Sequence, residues 1–186
     1  MKRSLLPLGA FVLIVVVLAF GIFNAPKNGS KVIVSPLLGK SAPQFTLPKL
    51  IDVGQRFEGR SLRGGWHLVN VWGTWCVECR AEHATLLEIQ KQGRVPIVGI
   101  DWKDDDAAAV AWLAQLGNPY ETVVADRDGR VAIDWGVYGA PESFLVSPQG
   151  IVVEKQTGAM TMDAWRSNFL PHLTATATAD AQRGGA

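Results

Sequence analysis

Cys76 and Cys79 are the only two cysteines of the 186-residue chain, and they stand two residues apart in the stretch NVWGTWCVECRAEH, residues 70–83. Four chemistries use such a pair. Covalent haem attachment needs C-x-x-C-H, but Arg80 follows Cys79. A structural zinc needs four ligands, and His67, His83 and His172 lack the H-x-x-x-H type of spacing that would supply the other two. A structural disulfide across so short a loop would constrain the unfolded chain little. The remaining chemistry is a dithiol that cycles between thiol and disulfide.

Position favours that reading. The apolar run WHLVNVW (66–72) predicts a buried strand, and CVECRAEHATLLEIQ (76–90) has the apolar spacing of a helix closed by Gly93. Cys76 then opens the helix, where unpaired N–H groups and the positive end of the dipole favour a thiolate over a thiol of pKa about 8.5. Cys79 follows one turn later, within reach to resolve a mixed disulfide.

The elements that must hold this junction alternate. QFTL and QRFEG, turned at Gly54, predict short strands. RVPIVGID and TVVAD read as buried strands, DDDAAAVAWLAQLG as a helix ending at Gly117, and RVAIDWGV as a short helix. SFLVSPQGIVVEKQ reads as a hairpin turned at Pro148 and Gly150, and residues 162–173 as a last helix. The sum is an α/β fold with a mixed sheet flanked by helices.

Ahead of this domain, Lys2 and Arg3 precede an uncharged run from Leu5 to Phe23, long enough to cross a bilayer with its basic end in the cytoplasm. Phe23 and Pro26 fit poorly with signal cleavage, so the run is expected to remain as one N-terminal transmembrane helix. The expected organisation is a tip and signal anchor at 1–25, a tether at 26–42, a domain at 43–173 and a disordered tail at 174–186. Eighteen basic against seventeen acidic side chains, with no long run of either sign, argue against a nucleic-acid partner.

The segment VWGTWCVEC followed by a helix resembles the thioredoxin superfamily. GTWCVECRAEH, KDDDAAAVAWLAQLGNPY and GVYGAPESFLVSPQG together, behind an anchor, resemble the DsbE/CcmG family of cytochrome c maturation thiol–disulfide proteins, from about residue 2 to 173. The resemblance implies a thioredoxin-like fold at the periplasmic side of the inner membrane, spanning it once. It implies a reductant that keeps the haem-attachment cysteines of apocytochrome c reduced, directly or through a haem-ligation partner, with electrons from a membrane reductase of the DsbD or CcdA type. No cofactor is expected beyond the redox-active Cys76–Cys79 disulfide. The family's cis-proline falls on Pro141, with Ala140 before it offering backbone to an extended substrate, and Trp75 borders the same surface. Glu82 and Glu142 are implied as the acids of the site.

Rival readings are a general thiol oxidant or reductant, a thiol peroxidase on the same fold, and, in another class, a module that binds apocytochrome with its cysteines secondary. The chain also departs from the family pattern. Asn70 stands where thioredoxins carry an acid, and Val77 stands where proline is common. Glu78, a negative charge between the cysteines, is expected to disfavour the thiolate and make the couple more reducing. His83 reads as a helix-surface imidazole, Arg80 as solvent-facing or beside the thiolate, and Trp72 as collar or core.

Overall fold

A computed structural model of the chain describes residues 5–23 and 36–174. They fall into two units, divided after Ile33. The first contains α1, Leu5–Phe23, nineteen residues without a charge, whose described side chains from Phe11 to Leu18 and at Phe20 are exposed and apolar. At about 1.5 Å per residue it rises about 28 Å, slightly under the ~30 Å of a hydrocarbon core. Among the described residues no helix is long and apolar enough to cross a membrane. The expected tail, apart from Thr174, and residues 26–35 of the expected tether lie outside the described residues.

The second unit carries the cysteines. A short antiparallel pair, β1 (Thr46–Pro48) and β2 (Arg56–Glu58), precedes a five-stranded sheet of β3 (His67–Trp72), β4 (Ile97–Trp102), β5 (Thr122–Asp126), β6 (Glu142–Val146) and β7 (Val152–Thr157). The spatial order is β5-β4-β3-β6-β7, with β3, β4 and β5 parallel and β6 and β7 antiparallel, the mixed sheet expected. Helices α2 (Val77–Lys91), α3 (Asp106–Leu116) and α4 (Arg130–Asp134) fill the crossovers. The last helix, α5, starts at Met162–Ala164 and passes through a π-helical stretch at Trp165–Phe169. Structure begins before Pro43: Gly39 N–H donates to Val152 O and Ala42 N–H to Gly150 O, seating the chain on the β6–β7 hairpin.

Alternation along β3 sorts its side chains between two cores. Leu68 and Trp72 face the cluster that holds both cysteines, Leu86 and Ile89 of α2, Trp112 of α3 and Trp165 and Phe169 of α5. Val69 and Val71 face the other cluster, with Val131 and Trp135 beside α4 and Phe144 of β6. Burial on both faces fits strands of nearly continuous apolar character. Register aligns the carboxyl end of β3 with that of β4, Trp72 beside Asp101, and with the start of β6, Val71 beside Glu142. The β3–α2 turn therefore lies among residues from three strands.

Trp72 is core: it stacks on Tyr120 at 5.4 Å between ring centroids and lies 6.0 Å from Trp112. Gly99 of β4 makes that stack fit, since a Cβ there would come within 2.9 Å of both Trp72 Nε1 and Tyr120 Cδ1. Gly99→Ala is expected to cost about 1–3 kcal/mol of stability through overpacking. Urea unfolding of the two proteins measures it, and an unchanged midpoint would show that the stack can yield.

Candidate active site

Cys76 is the N-cap of α2 in an extended conformation, φ −92° and ψ 113°, the geometry in which a side-chain acceptor reaches the first free N–H groups of a helix. Its Sγ accepts the Cys79 N–H at 3.0 Å, and the two sulfurs form a disulfide. Both cysteines are nearly buried, 5% and 3% exposed, whereas Trp75 and Val77 beside them are 52% and 84% exposed. The Trp75 indole N–H donates to Trp102 O at 3.1 Å, and the two rings meet edge to face. Trp75 is thus held on the surface beside Cys76. The Ala140–Pro141 peptide is cis, and Ala140 packs on the cluster containing Cys76 and Cys79.

Behind the disulfide lies a network that the sequence did not announce. Asn70 is fully buried, and its amide donates to Glu82 Oε1 at 2.9 Å and to Ser143 Oγ at 3.0 Å, while its carbonyl accepts the Tyr120 hydroxyl at 2.8 Å. Glu82, one turn beyond Cys79 on the buried face of α2, also accepts Met160 N–H at 2.6 Å. It is 1% exposed, and burial pushes its carboxyl up from 4.5 to about 7; the Met160 and Asn70 hydrogen bonds pull the other way, and Glu78 adds a smaller upward push. Asn70 does not carry a proton itself, but it holds the group that can.

Glu142 is also fully buried, in different company. Its Oε2 lies 2.7 Å from Lys155 Nζ, off the hydrogen-bonding direction, and its Oε1 accepts Tyr138 N–H at 3.3 Å. Lys155, itself buried, donates to Gly136 O at 3.1 Å and lies near the Tyr138 and Phe144 rings. This pair ties β7 and β6 to the loop that ends at Pro141. The two expected acids thus keep different company: Glu142 pairs with Lys155, and Glu82 sits behind the disulfide with Asn70 and Met160.

One expectation about the helix face is corrected. His83 is buried rather than on the helix surface: its Nε2 lies 2.9 Å from Gly117 O and its Nδ1 accepts the Trp112 indole N–H at 3.4 Å. Burial lowers its pKa, and the neutral ring braces α2 against α3. Arg80 takes the solvent-facing alternative, exposed and stacked 4.2 Å over Trp112. Sequence reading missed Tyr120, Ser143, Lys155 and Met160, whose chemistry appears only when strands and loops distant in sequence meet. Strand parity alone would have turned Asn70 inward with Leu68 and Trp72. Among the described residues no group of side chains could hold a metal ion.

A strand-to-helix turn with an N-capping cysteine, a disulfide to a second cysteine one turn on and a cis X–Pro bond at a residue packed on the same cluster define a thioredoxin-like thiol:disulfide oxidoreductase. Residues 37–170 match the Redoxin family. The chain is 44% identical over 173 residues to the thiol:disulfide interchange protein DsbE of Pseudomonas aeruginosa, covering 92% of this chain and 93% of that one. It is 39% identical over 175 residues to DsbE of Escherichia coli, covering 92% and 94%. A secreted Mycobacterium tuberculosis disulfide oxidoreductase homologous to Escherichia coli DsbE superposes with a TM-score of 0.58 at 26% identity, covering 72% of this chain and 96% of that one. The chain belongs to the DsbE family of thiol:disulfide interchange proteins.

Two predictions follow from the acids. Because Glu82 binds its proton more tightly folded than unfolded, its contribution is full below pH 4.5 and is lost as pH rises through about 7. The loss is on the order of 3 kcal/mol. Glu82→Gln should remove that slope, so the difference between variant and parent in urea unfolding should shift toward the variant between pH 5 and 8; a constant difference would refute it. His83 titrates in the opposite sense in both proteins and cancels. Lys155→Met should cost about 3–5 kcal/mol by stranding Glu142, and adding Glu142→Gln should recover most of it. A double variant no more stable than the single would show that the pair matters for packing alone.

Proposed function

We propose that this chain is a membrane-anchored, periplasmic reductant of cytochrome c maturation, keeping the haem-attachment cysteines of apocytochrome c reduced, directly or through a haem-ligation partner. The observation that carries the reading is the Cys76 sulfur at the N-cap of α2, accepting the Cys79 N–H, with the desolvated Glu82 carboxyl one turn further along the same helix.

The Cys76 thiolate attacks one sulfur of a partner disulfide, and the departing partner thiolate takes up a proton. Cys79 then yields its proton to Glu82, whose pKa of about 7 suits exchange near neutral pH better than an ordinary carboxylate would. The Cys79 thiolate attacks Cys76 Sγ, forming the internal disulfide and freeing the second partner thiolate, which is protonated in turn. Two electrons have moved to the partner, and a membrane reductase of the DsbD or CcdA type restores them.

The partner's chain docks along Trp75 and Ala140–Pro141. Glu142 acts here by holding that loop through Lys155 and Tyr138. The uncharged run Leu5–Phe23 in the sequence, with Lys2 and Arg3 ahead of it, supports a single-pass inner-membrane anchor with the domain on the periplasmic side.

Cys79→Ser tests the reading, because the mixed disulfide on Cys76 can no longer be resolved. In cells the expected adducts are apocytochrome c or a haem-ligation protein, together with a membrane reductase, identified by mass spectrometry. A broad set of exported proteins would mean a general oxidant or reductant. Peroxide consumption dependent on Cys76 would mean a peroxidase. No adduct, with cytochrome assembly intact, would mean a binding module.

A further inference from the structure

A second set of contacts grips the opposite side of the Cys76 turn. At the end of β4 the chain reverses through Lys103, a non-glycine residue at φ 51°, and this reversal brings Asp104 against the β3–α2 turn. Thr74 donates both its backbone N–H and its hydroxyl to the Asp104 carboxylate, the hydroxyl at 2.8 Å, and Asp105 N–H donates to the same carboxylate at 2.8 Å. Thr74 lies two residues before Cys76, and the residue between them is the rim tryptophan Trp75. Asp104 thus sets the turn that presents the cysteine.

Asp101 lies within hydrogen-bonding reach of Asp104. It is 1% exposed, and its Oδ1 has no donor among the described residues. Two carboxylates cannot satisfy each other unless one carries a proton, since an ionised carboxylate only accepts. A proton on Asp101 supplies the missing donor to Asp104 and removes a buried charge.

We propose that Asp104 is a positioning residue for Cys76, fixing the Thr74–Cys76 turn through both Thr74 donors, and that Asp101 keeps it in place by sharing one proton with it. The titratable and charged groups facing Asp101 are Asp104 and Asp106 at the head of α3 and Arg127 after β5. Tyr120, from the segment before β5, feels both Asp101 and Glu82 and stays a neutral phenol. Lys103 lies over the Trp102 ring. Burial, then Asp104 and Asp106, push Asp101 up to about 8, with Arg127 opposing. At neutral pH the proton is therefore in place, and the clamp loosens as pH rises through that value.

The clamp rests on Cys76 as the attacking thiol, but its titration is readable without that premise. In the oxidised full-length chain, solubilised in detergent, no thiol titrates. The Thr74 amide signal followed by NMR from pH 6 to 10 should show an inflection near pH 8 that Asp101→Asn abolishes, because asparagine donates at every pH, and that Glu82→Gln leaves in place. Asp104→Asn should slow reduction of the disulfide by dithiothreitol at pH 7 at least fivefold, in a protein whose circular dichroism is unchanged. A Thr74 inflection that survives Asp101→Asn, or is missing from the parent, overturns the shared proton. A rate within twofold of the parent for Asp104→Asn overturns the positioning role, whatever the partner of Cys76 in cells.

Discussion

One buried amide ties the helix that carries the disulfide to the rest of the sheet. Asn70 reaches α2 through Glu82, β6 through Ser143 and the segment before β5 through Tyr120. Each of these partners is itself buried, so none can turn to water if Asn70 moves. The helix that begins at Cys76 is thereby docked on the central strand not only by Leu86 and Ile89, which permit some sliding, but by a directional bond that does not. An apolar core sets which face of α2 is inward; the Asn70–Glu82 bond sets how far along the sheet its first turn lies.

Around that bond the site divides its acids by company. Glu142 is matched by Lys155 and serves the loop that ends in the cis Ala140–Pro141 peptide. Among the described residues neither Glu82 nor Asp101 is held in an ion pair, and burial raises both, with Arg127 opposing at Asp101. Burial alone does not distinguish the three, since all are nearly inaccessible; their partners do. A thiol–disulfide site is served by a carboxyl that exchanges its proton near neutral pH, as Glu82 does at about 7, because a resolving thiol must first lose a proton.

Strand and helix order was legible because the sheet is buried on both faces, and runs such as WHLVNVW and TVVAD leave little else for a strand to do. The helix capped by Cys76 was legible for the same reason, with the strand stopping at Trp72 and periodicity resuming after the cysteines. What stayed hidden was pairing between distant segments. Nothing in the local pattern of EHATLL says that His83 will face Gly117 and Trp112, and a lysine in a β7 segment with alternating polar residues reads as solvated until register sets it opposite Phe144, with its ammonium against Glu142. Asn70 was visible as a departure from an acid, but its value as a donor emerged only once Glu82 was seen across the helix–sheet interface.

The surrounding charges bear on which way electrons run. A thiolate at a helix start is stabilised by N–H groups and by any cation nearby, and the more stable the thiolate, the more oxidising the couple. Here the cations that local sequence or topology brings near the turn are engaged elsewhere. Arg80 lies over Trp112, Lys103 over Trp102, and Lys155 is held by Glu142. On the other side stand Glu78 between the cysteines, Asp104 under Thr74, and Glu82, which ionises near neutral pH. With the helix N-terminus opposed by these acids and unaided by those three cations, the reduced pair gains less from its thiolate than a strong oxidant's would. That balance of charges supports the proposed reductant over an oxidant.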